Sequence, residues 1–168
     1  MGTAFEIGLI LSLQPELTGE DRETLAYMTR SEDYGFQTRL DDPFFTEYEQ
    51  GFDKEWRIII ANNHIRSGEE CTSQIRRSIF CSYQLCFRIL IDENTYYNIW
   101  PTFSDWLFSI SNGEGLAGYI LNVSYMEAEL IFLEENGLTL QAVENCRIPK
   151  SLLHSIDELL GGTRCVDL

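Results

Sequence analysis

SQIRRSIFCSYQLCFRILI, residues 73–91, reads as β-strand from end to end, and its 19 residues exceed the length of one ordinary strand. The break falls near Cys81-Ser82, giving either two strands or one strongly bent strand. Beyond the break, Tyr83, Leu85, Phe87, Ile89 and Ile91 share one face, and Gln84, Cys86, Arg88 and Leu90 share the other. Two strands with no helix between them pair antiparallel, which turns the whole chain towards an α+β class.

Working outward from this stretch, Phe5, Ile7, Leu9, Leu11 and Leu13 alternate as a strand with one buried face, closed by Pro15. Thr18, followed by Glu20 and Asp21, has the form of a helix start, with a hydroxyl cap and acids in the first turn. The short helix it opens, about residues 19–29, would bury Leu25 and Met28. Trp56 to Ala61 is a short apolar strand. On the C-terminal side, Tyr96, Ile99, Trp100, Phe103, Leu107 and Ile110 form a full helical stripe. Asn94 or Thr95 is placed to cap that helix and Asn112-Gly113 to stop it, while Pro101 inside it predicts a kink or a fresh start.

Leu116 to Val123 is a further strand. Leu130 to Glu134 and Leu138 to Val143 flank Glu135-Asn136-Gly137, and Asn-Gly between two β runs is a strong hairpin signal. A last helix, Ser151 to Leu160, follows Pro149 and ends at Gly161-Gly162. The expected architecture is one α+β domain over residues 1–168, with 163–168 a frayed tail. It is an antiparallel sheet with helices on one face, compatible with a ferredoxin-like βαββαβ sandwich carrying an added C-terminal hairpin strand and helix.

Charge narrows the function classes. The chain has 27 acids and 12 bases, a net of −15. Residues 57–91 depart from that balance, with five arginines and two glutamates. That pattern argues against nucleic acid and for a soluble protein whose one positive patch sits in a negative field. No apolar run is long enough for a spanning helix and no basic leader opens the chain, so a cytoplasmic protein with no membrane contact is expected. Five cysteines without C-x-x-C spacing fit a reducing compartment, with Cys86 read as a small sheet residue. His64 and His154 stand in no zinc-binding spacing, and Gly113-Glu114-Gly115 lacks the rest of a phosphate loop, so no metal and no cofactor is expected.

Several of these segments together resemble a group of uncharacterised small bacterial proteins. They are Phe5 to Leu11, Leu25-Ala26-Tyr27-Met28, Asp42-Pro43-Phe44-Phe45, Trp56-Arg57, Phe103-Ser104-Asp105-Trp106-Leu107 and Leu130-Ile131-Phe132 before the Asn-Gly turn. The resemblance spans most of the chain. It implies a small bacterial cytoplasmic protein and carries over no catalytic residue.

Two groups of residues are candidates for binding. Arg57, Arg76 and Arg88 lie on expected strands, and Arg76 and Arg88 would share a sheet face if residues 73–91 fold back. Clustered guanidinium groups take carboxylate or phosphate bidentately, although surface pairing with neighbouring acids accounts for them as well. Residues 31–55 hold six aromatics among acids, and Phe44, Phe45 and Tyr48 could anchor a partner or close over the core. The leading expectation is a non-catalytic acidic interaction domain, such as an inhibitor or immunity-type partner of a basic protein. The alternative is a small-molecule or anion-binding domain, or a minor enzyme, using the strand arginines.

Overall fold

The computed structural model describes residues 2–21, 25, 72–77 and 83–161. The strands are β1 (Ala4–Ser12), β2 (Thr72–Arg77), β3 (Tyr83–Asp92), β4 (Gly115–Asn122), β5 (Glu127–Glu134) and β6 (Gly137–Val143). The helices are α1 (Glu93–Asn98), α2 (Trp100–Ser109) and α3 (Lys150–Gly161). The six strands form one sheet in the order β2-β3-β1-β4-β5-β6, and every neighbouring pair is antiparallel.

The long β stretch is therefore a folded-back pair, β2 and β3, and the class is α+β. The strand expected at Trp56 to Ala61, the aromatic segment 31–55 and the tail 163–168 lie outside the described residues. So does most of the first helix of the βαββαβ scheme, of which Gly19 to Asp21 and Leu25 are helical. At its start Thr18 Oγ1 accepts from the Asp21 backbone N–H at 3.1 Å, the expected cap, and Leu25 is fully buried.

Alternation along the strands sorts side chains to two faces. Phe5, Ile7, Leu9, Leu11, Leu85, Phe87, Ile89, Ile91, Ile120 and Ile131 join Ile99, Trp100, Phe103 and Leu107 of the α1–α2 segment in the main core. Pro101 sits in the first turn of α2, so the apolar stripe is split into two helices at Ile99. Asp92, not Asn94 or Thr95, caps α1: its carboxylate accepts from the Thr95 backbone N–H at 2.9 Å. β3 runs straight into α1 at Asp92, so its last residue is already in the cap position.

The opposite face carries a smaller core, in which Leu152 and Ile156 of α3 pack with Cys86 and Tyr119. Helices thus flank both faces. The expectation of helices on one face holds for α1 and α2 but not for α3. Once β1, β3 and β4 bury one face under α2, the apolar positions of their other face (Cys86, Tyr119, Ile10) still need cover, and α3 supplies it. Gly8 makes the fit possible, because a Cβ there would run into the Tyr119 ring and lie 3.1 Å from Ile156 Cδ1. Gly118, where the β4–β5 register shifts, is held the same way: a Cβ would meet the Gly8 carbonyl.

The β5–β6 hairpin is present one residue out of the expected frame. Glu134 pairs with Gly137, so Glu135 and Asn136 make the turn. Gly137, already in the strand, takes the positive φ of 149° that a side chain would resist.

Candidate functional site

The sheet ends on β6, and among the described residues nothing pairs with its outer side. Its seven residues, Gly137-Leu138-Thr139-Leu140-Gln141-Ala142-Val143, include no charge and no proline. Positions 139–142 are all exposed, with Leu140 at 45%. An outer strand presents unpaired backbone N–H and C=O groups, and proteins that do not use such an edge blunt it with lysine, proline, a bulge or brevity. β6 has none of these devices. The β5 register puts Leu138, Leu140 and Ala142 on the main-core face, opposite Leu133, Ile131 and Glu129. Leu138 packs on that core while Leu140 stands open beside it.

Both ends of this neutral strand are acidic. Glu134 and Glu135 precede it, Glu144 follows it, and Glu127 and Glu129 lie on the adjoining strand near Val143. Over residues 127–149 that is five acids against one base, Arg147. The field of Glu129 reaches α1: burial first, then this carboxylate and Tyr97, push the Tyr96 phenol above its usual range. Tyr96 stacks on Phe5 at 3.8 Å, and Tyr97 meets the same ring edge-on.

Large apolar side chains stand exposed at the end of the sheet where Tyr97 lies. Tyr97 is 61% exposed, and the β4–β5 turn exposes Val123, Tyr125 and Met126. Asn122 shapes that turn by accepting from the Ser124 and Tyr125 backbone N–H groups. Cys146, just past β6, donates its thiol to the Met126 carbonyl and ties the turn to the strand's C-terminal end.

The arginines anticipated from sequence are placed differently. Arg76 pairs with Gln84 and Thr72 with Arg88, so positions 76 and 88 do fall on one sheet face. The four positions from Gln84 to Arg88 separate them by about 13 Å along the strand. The Arg88 guanidinium donates to Asp157 of α3 at 2.8 Å. Burial opposes its charge, but Asp157, Tyr119 and Glu6 more than offset that and hold its pKa above the usual arginine range. Tyr119, fully buried beside it, donates to Glu6 Oε1 at 2.5 Å; burial, then that bond, drives the phenol pKa strongly up. Arg88 thus joins β3 to α3. Arg57, Phe44, Phe45 and Tyr48 lie outside the described residues.

A cleft of about 340 Å³ opens at the other end of the sheet, between the 112–115 loop and the start of α3. It is lined by Ser12, Asn112, Glu114, Ser151 and Ser155 over an apolar floor of Ile10 and Leu152, with no arginine or lysine. No three His, Cys, Asp or Glu side chains converge as a metal site among the described residues. No helix among them is long and apolar enough to cross a membrane.

Sequence reading missed the β6 edge because strand order decides which strand is outermost. No local signal marks it: residues 136–143 are uncharged, but so are the longer runs 94–104 and 115–126. Comparison with protein-family models, curated proteins and solved structures finds no match.

Proposed function

We propose that this chain is an acidic protein-interaction domain that binds a basic protein, in the manner of an inhibitor or immunity-type partner. The observation that carries the reading is β6: an exposed, charge-free outer strand with acids at both ends, in a protein of net charge −15. A neutral recognition strip set in a negative field gives a positive partner both long-range attraction and a place to dock. The reading takes the chain as cytoplasmic, in keeping with five cysteines that lack any C-x-x-C spacing. An anion site on the strand arginines has less support, since Arg88 is already paired with Asp157 and the described cleft presents a carboxylate.

The test is kinetic. A partner is identified by cross-linking in cells and purified, and its association is followed by stopped flow. A basic partner is expected, with an on-rate that falls at least about ten-fold between 20 and 200 mM salt, as screening shortens the reach of the field. An acidic or neutral partner, or an on-rate flat with salt, refutes the proposal.

A further inference from the structure

The geometry points to a specific mode of binding: β6 receives an extended segment of the partner as a seventh strand, neutral and alternating in its middle and carrying lysine or arginine at both ends. This inference rests on the proposed function and adds to it the partner's local chemistry. The outward N–H and C=O groups of residues 137–143 supply affinity through strand pairing. Sequence selection comes from the two faces. On the main-core face, apolar partner residues would lie beside Leu138, Leu140 and Ala142, and on the other face, small polar ones beside Thr139 and Gln141.

Charge decides between a foreign strand and a second copy. In full antiparallel overlap of two β6 strands, Gly137 of each copy faces Val143 of the other, and Glu144 then sits opposite Asn136 and next to Glu135, twice by symmetry. Like charges are brought together at both ends. A segment with basic ends reverses the sign of both contacts, Glu134–Glu135 at one end and Glu144 at the other. It does so in either strand direction. Within residues 127–149 Arg147 is the one cation, and it lies beyond Glu144.

The probe is a synthetic peptide of about nine residues with two lysines, an alternating valine–threonine centre and two more lysines. Its counterpart has glutamates in place of the lysines. Binding to the intact protein is followed by fluorescence anisotropy and by amide hydrogen exchange. The lysine-ended peptide is expected to bind at least about ten-fold more tightly than its counterpart at 50 mM salt, and to slow exchange at alternate amides of residues 137–143.

Leu140→Lys, at an exposed position, should weaken binding about ten-fold or more. Glu144→Lys leaves the strand itself untouched and should weaken it several-fold, with the thermal transition of both variants unchanged. Protection elsewhere than β6, or equal binding of the two peptides, overturns the inference. So does a concentration-dependent dimer that Leu140→Lys disperses, because the occupant is then a second copy. Each of these outcomes leaves the salt-steered basic partner of the proposed function standing. That reading falls separately, on the charge and kinetics of the purified partner.

Discussion

Replacing Gly8 by alanine tests the junction on which the second face of the sheet depends. Gly8 lies in β1 between Arg88 of β3 and Tyr119 of β4. A methyl group at this position overlaps Tyr119 Cε1 and Cζ and comes within 3.1 Å of Ile156 Cδ1. The ring has no easy retreat: Tyr119 is 1% exposed and its hydroxyl is held by Glu6 at 2.5 Å. Overpacking of this kind costs about 1–3 kcal/mol. Losing a hydrogen bond to a charged acceptor adds about 1.5–3 kcal/mol if the ring is displaced. Against this stands about 0.5–1 kcal/mol recovered because alanine loses less chain entropy than glycine on folding.

The balance is a destabilisation of about 3 kcal/mol, equivalent to a fall in Tm of about 6–12 °C for a chain of this size. Urea unfolding followed by circular dichroism measures it, with Tyr119→Ala as the second arm of a cycle. In that background the new methyl group has room, and Gly8→Ala should be neutral or slightly stabilising. Equal effects in both backgrounds, or a Gly8→Ala protein as stable as the parent, would show that Tyr119 and α3 do not close over Gly8.

Two further outcomes concern the Tyr119 phenol and the cap of α1. The raised Tyr119 pKa means that the folded state prefers the neutral phenol, so its contribution is complete below the unfolded value of about 10 and is lost as pH rises beyond it. Urea midpoints at pH 8 and pH 10.5 should therefore fall further for the parent than for Tyr119→Phe; parallel losses would refute the burial argument. Asp92→Ala removes the cap of α1 and should cost about 1 kcal/mol in urea unfolding, with Asp92→Asn restoring most of it. An alanine variant as stable as the parent would show that the cap contributes nothing.

Where a segment's period was strong, it was legible. The alternation of Phe5 to Leu13 and of Leu85 to Ile91 gave strands and their buried face, because a period of two has only one way to hide its apolar side. Pro101 announced a break that the structure resolves as two helices. The capping residue of α1 was misplaced by two or three positions, since the run contains Asp92, Asn94 and Thr95, all capable of the role. Only the chain path out of β3 selects among them. The location of α3 was not legible either. Leu152 and Ile156 mark a face to be buried but not which side of the sheet will bury it.

By itself, then, the sequence determined the α+β class, the antiparallel pairing, the hairpin and the acidic field, all of which depend on neighbours along the chain or on totals. The tertiary structure decided that Arg88 serves α3 through Asp157, that α3 covers the second face, and that β6 is outermost among the described strands. These depend on strand order and on where α3 docks, both set by contacts between residues far apart in sequence that leave no local period to read.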